Sequence, residues 1–160
     1  MIVLKTRSLN GEAFAPFGDV LEVPKEIGRA TFDAALANRR SDARLSLALV
    51  HKAPTELPLT SRTMERHRWS SQTFFPLQAT RWLVLVAPHM EDRTAPDMNK
   101  ALAFIASGQQ GVTFAADVWH HPFTVLGSPA KFAVATWKNG TSDDDEFVDT
   151  AEFLIERIES

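Results

Sequence analysis

Short apolar runs return along most of this chain, and turn signals separate them. They are Val20 to Val23, Leu45 to Val50, Gln72 to Phe75, Arg81 to Ala87, Ala103 to Ala106, Gly111 to Phe114, His120 to Leu126 and Lys131 to Trp137. Between them stand Pro24, Pro54, Pro58, Pro88, Pro96-Asp97, Gly108-Gln109-Gln110-Gly111, Gly127-Ser128-Pro129 and Asn139-Gly140. Strand-length runs without alternating helices predict an antiparallel barrel or jelly roll, because parallel strands need long crossovers. The expected class is therefore mainly β, with a few short helices. At 160 residues and 44% hydrophobic, the chain fits one domain with one ordinary core. Asn10 to Gly18 reads as a short helix, with Asn10 as N-cap, Gly18 at C′ and Phe14 and Phe17 on one face. Asp149 to Glu159 reads as a terminal helix carrying Phe153, Leu154, Ile155 and Ile158, whereas Thr31 to Asp42 reads both as helix and as loop. A small closed barrel leaves one pocket at its mouth, so a site is expected where polar side chains of neighbouring strands point inward.

The charge balance excludes some functions. Net charge is −3, which argues against nucleic acid as a partner. The basic stretch Arg62 to Arg68 is interrupted by Glu65 and runs on into an aromatic strand. No apolar run approaches the roughly 20 residues that span a bilayer, so no membrane association is expected. The absence of cysteine and of a leader-like start points to a reducing, cytoplasmic compartment. Asp143-Asp144-Asp145-Glu146 reads as a solvated loop.

Chemistry-bearing residues concentrate in two segments. In Met64-Glu65-Arg66-His67-Arg68-Trp69-Ser70-Ser71-Gln72, Glu65 and His67 share one strand face, and a hairpin returns Gln72 beside them. In Asp117-Val118-Trp119-His120-His121-Pro122, adjacent histidines open a strand and must face opposite sides, so one enters the barrel. Taken singly, each residue has a structural reading: a surface ion pair for Glu65, a core role for Trp119. Together a carboxylate, imidazoles and an amide make an acid–base or metal site. A histidine opening a strand at the mouth is expected to be partly solvated.

Glu-x-His-x4-Gln with a later strand-opening histidine resembles the cupin pattern, in which His-x-His, a following Glu and a later Gly-x-x-His supply metal ligands. Matched slot by slot, Glu65, His67, Gln72 and His120 take those places. Met64-Glu65-Arg66-His67, Ser71 to Pro76, Ala103 to Val112 and Val118-Trp119-His120-His121-Pro122 further resemble the ureidoglycolate lyase family, and Asp19 after Phe17-Gly18 fits its opening. The likeness spans nearly the whole chain. Departures are Phe114-Ala115-Ala116 where tyrosine and polar residues are common, the missing His-Asp pair between Asn38 and Leu47, and Ala135-Thr136-Trp137-Lys138 where an acidic residue is common.

The resemblance implies a cupin-type barrel acting on a small molecule, as a lyase that splits ureidoglycolate to glyoxylate and urea in allantoin and purine degradation. Alternatives are a cupin enzyme on another small ureido or hydroxy acid, or a non-catalytic small-molecule-binding cupin. The implied catalytic residues are His67, His120 and Glu65. Gln72, His121, Trp119 and Arg81 are the expected substrate contacts, and Arg81, Lys131 or Arg44 is expected to meet the substrate carboxylate. No cofactor is required, or a divalent metal is held loosely by Glu65, His67, Gln72 and His120. Nickel is the metal in that family. Glu and Gln in place of the usual His and Glu weaken such a site, because a neutral amide oxygen is a poor ligand for a transition metal. A homodimer is expected, as in the family.

Overall fold

A computed structural model describes residues 1–158. Its elements are β1 (Ile2–Lys5), β2 (Arg7–Ser8), α1 (Gly11–Phe14), β3 (Gly18–Leu21), β4 (Arg44–Lys52), β5 (Pro54–Thr55), β6 (Leu59–His67), β7 (Gln72–Gln78) and β8 (Arg81–Ala87). A single 3-10 turn (Met98–Lys100) follows, then β9 (Leu102–Ser107), β10 (Gly111–Phe114), β11 (Trp119–His120), β12 (Thr124–Leu126), β13 (Ala130–Lys138) and β14 (Asp145–Glu156). The expected mainly β architecture is present, as a barrel built from two sheets.

One sheet runs β3-β10-β7-β13-β4. The other runs β1-β14-β6-β11-β8-β12-β5, with β9 also on β8 and β2 on β9. Because β1 pairs β14 while the next strand, β2, pairs β9, the larger sheet curls almost shut on itself. β8 shows the consequence. Its apolar run is buried on both faces: Trp82, Val84 and Val86 meet the opposite sheet, and Leu83, Leu85 and Ala87 fill the curl. That is why β8 reads as continuous rather than alternating apolar sequence.

The N-terminal helix is shorter than expected. Asn10 caps it, its side chain accepting from the Ala13 N–H at 2.9 Å. Phe14 and Phe17 share a buried face, with ring centroids 6.2 Å apart. Gly18 does not close the helix. It begins β3 where a Cβ would collide with the Thr113 carbonyl of β10, so close strand approach requires the glycine.

The expected helix from Asp149 to Glu159 is instead most of β14, and Glu159 lies outside the described residues. Phe153 and Ile155 are fully buried while Leu154 between them is not, a period of two. Open edges of β6 and β1 on either side supply backbone partners that a helix would forgo. The ambiguous Thr31 to Asp42 stretch contains no helix. It is pinned as an extended loop across the β6–β7 turn: Arg39 N–H donates to Trp69 O, and Ser71 N–H to Ala37 O. The strand expected from His120 to Leu126 is broken at His121-Pro122-Phe123, in keeping with a proline that has no N–H to offer a ladder. On the outer face of edge strand β4, Leu45, Leu47 and Leu49 stand exposed.

Candidate active site

Two registers assemble the site. Along β6, alternation sends Met64 and Arg66 to one side and Glu65 and His67 to the other. His120 of β11 lies directly opposite Glu65 in an antiparallel pair, so their side chains share a face. The result is a cluster in which ligating atoms of Glu65, His67 and His120 all lie within 4.8 Å of one another. Gln72 opens β7 on the facing sheet, paired with Phe114, whose ring lies parallel to His120 at 4.2 Å.

Each imidazole is held by one nitrogen. His67 Nδ1 is 2.9 Å from Asp145 Oδ1, and His120 Nδ1 is 3.0 Å from the Val118 carbonyl. Both acceptors hold a hydrogen on Nδ1, so Nε2 is the nitrogen left to take or give a proton. Nε2 of both rings and Oε1 of Gln72 are buried without a hydrogen-bond partner among the described residues. His120 Nε2 is 3.3 Å from Glu65 Oε1 but lacks a hydrogen bond's alignment. Burial by itself would raise the Glu65 pKa. The neighbouring His120, His67 and His121 rings together outweigh this, His120 most of all, so the pKa is lowered and Glu65 stays a carboxylate.

Two expectations are corrected here. His120 is 1% exposed rather than partly solvated, because β11 is an inner strand covered by Phe114. The acidic run is a solvated loop only in part: Asp143 lies exposed in the turn before β14. Asp144 is buried, accepting from the Trp69 N–H at 2.6 Å and from the Ser70 hydroxyl, while Asp145 and Glu146 open β14.

Other expected site residues lie elsewhere. His121 faces the curl of the larger sheet, with Nε2 3.0 Å from Ser61 Oγ and its ring against Phe153. Trp119 is buried in that second core beneath the Arg66 guanidinium, 4.3 Å from its ring. Arg81 is five residues along β8 from Val86, the partner of His120, or about 16 Å away on the opposite face. Lys131 and Arg44 are exposed.

Sequence reasoning missed the residues behind the cluster. Arg66 is 4% exposed and reaches Asp117 at 3.1 Å and Glu146 at 2.8 Å. It thereby ties together the strand bearing His67, the turn leading to His120 and the strand bearing Asp145. Asp117 takes a left-handed φ of 67°, offset by its bonds to Arg66 and Arg93 and by its N–H on the His67 carbonyl.

The family model described as ureidoglycolate lyase matches residues 1–156, which is nearly the whole chain. The chain belongs to the ureidoglycolate lyase family. A ureidoglycolate lyase of Burkholderia cepacia is 38% identical over 82% of this chain and 78% of its own length. Ureidoglycolate lyase 1 of Rhizobium meliloti is 33% identical over 96% and 93%, and the Schizosaccharomyces pombe enzyme 29% identical over 94% and 92%. Among solved structures, an oxalate decarboxylase formate complex from Lactobacillus farciminis aligns with 91% of this chain and 33% of that chain, at 16% identity and a TM-score of 0.42. No helix among the described residues is long and apolar enough to cross a membrane.

This family member carries one strongly shifted histidine away from the cluster. Burial, the largest cause, lowers His121 from 6.5 to about 4, so the folded chain keeps it neutral. Between those two pH values the unfolded chain binds a proton there and the folded chain does not. Stability is therefore retained above pH 6.5 and lost as pH falls toward 4, by up to about 3 kcal/mol at about 1.4 kcal/mol per unit. Urea denaturation across this window is expected to show a flatter pH dependence for His121→Gln than for the parent. Parallel profiles would exclude this role for His121.

Proposed function

We propose that this chain is a ureidoglycolate lyase, releasing glyoxylate and urea. The observation that carries the reading is the pair of imidazoles, each fixed through Nδ1 and each with a buried Nε2 unpartnered among the described residues, clustered with Glu65. The substrate is a hemiaminal: one carbon bears a hydroxyl, a carboxylate and a ureido nitrogen. Its cleavage needs one proton removed and one delivered, with no redox step.

His67, oriented by Asp145, takes the hydroxyl proton at Nε2. The oxygen's electron pair forms the carbonyl of glyoxylate, and the C–N pair leaves with the urea nitrogen. His120, carrying a second proton on Nε2 against the Glu65 carboxylate, delivers that proton to the leaving nitrogen, and the proton gained by His67 returns to it before the next turnover. Gln72 hydrogen-bonds the ureido group. Each proton transfer contributes about 10²–10⁴-fold.

The same donor set also fits a divalent cation: two imidazole nitrogens, a carboxylate and an amide oxygen, three of them without protein partners. Glu65, His67, Gln72 and His120 would hold it, weakly because the amide is a poor ligand. Bound there, it would supply Lewis-acid polarisation of the substrate oxygen.

The test is purified protein incubated with racemic ureidoglycolate, following glyoxylate and urea, before and after chelator dialysis and with nickel restored. Stoichiometric release of both products is expected, and its absence in every condition refutes the assignment. We also propose a homodimer in which a second copy covers the exposed leucines of β4. Leu47→Asp is then expected to shift the sedimentation coefficient from dimer to monomer, and a monomeric parent would exclude this arrangement.

A further inference from the structure

The cluster around Glu65 holds no cation for the carboxylate that every substrate of this kind carries. We infer that Arg40 is the carboxylate-binding residue of the site, an assignment that rests on the ureidoglycolate reading above.

Arg40 lies on the extended loop pinned across the β6–β7 turn, immediately beyond His67. Its side chain is 11% exposed. One nitrogen, Nη2, donates to the Trp137 carbonyl at 3.0 Å and sits 3.4 Å from Asp144 Oδ2. Nε and Nη1 are buried with no acceptor. A guanidinium cannot shed its charge to relieve this, since it stays protonated at any ordinary pH. Buried cationic donors left without partners are costly, so their environment is built to receive an acceptor.

Asp144 is not that acceptor. Its oxygens already take the Trp69 N–H and the Ser70 hydroxyl, and its contact with Arg40 runs through Nη2 alone. Asp144 instead anchors the guanidinium through Nη2. A carboxylate oxygen of Asp144 and a ring nitrogen of His67 lie within 4.8 Å, so Arg40 stands one carboxylate away from the proposed base. No other arginine or lysine among the described residues has a buried side-chain donor without a partner. Planar guanidinium donors match a carboxylate, and the substrate carboxylate is attached directly to the reacting carbon.

The experiment measures calorimetric affinity for glyoxylate, the product that keeps the carboxylate, and for its neutral amide, glyoxylamide. Wild-type, Arg40→Met and Arg40→Lys proteins are compared, alongside their KM and kcat on ureidoglycolate. Wild-type protein is expected to prefer glyoxylate over the amide by about 30-fold, the worth of one or two charge-assisted hydrogen bonds. Arg40→Met is expected to lose that preference and to raise KM more than it lowers kcat, with Arg40→Lys between the two. The wild-type comparison needs no variant to fold. Equal wild-type affinity for acid and amide, or a preference retained in Arg40→Met, overturns the inference. If wild-type protein prefers glyoxylate through Arg40 yet never releases urea, the lyase reading fails and the carboxylate site stands.

Discussion

Turnover of ureidoglycolate by His120→Gln is expected to fall by about 10²–10⁴-fold, the usual loss for a proton-transferring group. Glutamine is the informative replacement. His120 is 1% exposed and stacked on Phe114, so alanine would open a cavity and confound chemistry with stability. Glutamine fills most of the volume and can still bond the Val118 carbonyl, but it offers no titrating nitrogen beside Glu65. His67→Gln is expected to behave alike. Asp145→Asn, which removes only the orienting carboxylate 2.9 Å from His67 Nδ1, should cost about 10–100-fold. The checks are initial rates of glyoxylate and urea release together with thermal melting of each variant. His120→Gln turning over within threefold of the parent would remove His120 from the mechanism.

Arg66→Leu is expected to destabilise the fold by about 3–5 kcal/mol, because it strips the one buried guanidinium that joins Asp117 to Glu146 and leaves them only the exposed Arg93 and half-exposed Arg68. Its cation–π contact with Trp119, 4.3 Å from the ring, goes too. At this chain length the melting temperature should drop by about 10 °C. Arg68→Ala is the control from the same basic stretch. Arg68 is half exposed and 3.7 Å from Glu146, so its loss should change stability by about 0.5 kcal/mol or less. Calorimetric melts of the two variants check this, and equal shifts would mean that Arg66 is not the clasp described here.

The contrast between Arg66 and Arg68 shows where reading the sequence stops. Both stand in one basic stretch, and nothing local distinguishes them. Burial of Arg66 follows from the curl of the larger sheet, which puts Trp119, Asp117 and Glu146 around it from positions 51 to 80 residues away. The role of Asp145 was hidden for the same reason: it stays exposed, and only its pairing with β6 brings the carboxylate to His67. The terminal helix failed because Phe153, Leu154 and Ile155 suit either period, and the open edges of β6 and β1 decided between them.

Local alternation by itself determined that Glu65 and His67 share a face and that His120 and His121 cannot. Turn-bounded apolar runs determined a mainly β barrel, and the quoted motifs pointed to the family. These are properties of neighbouring residues and of the two-residue period of a strand. Only the tertiary structure decided that His120 rather than His121 meets Glu65, that Trp119 and Arg81 lie away from the cluster, and that Asp145 holds His67 while Arg66 clasps the strands behind it. Those outcomes depend on cross-strand register and on what each face is buried against, and both are set by contacts between segments far apart in the chain.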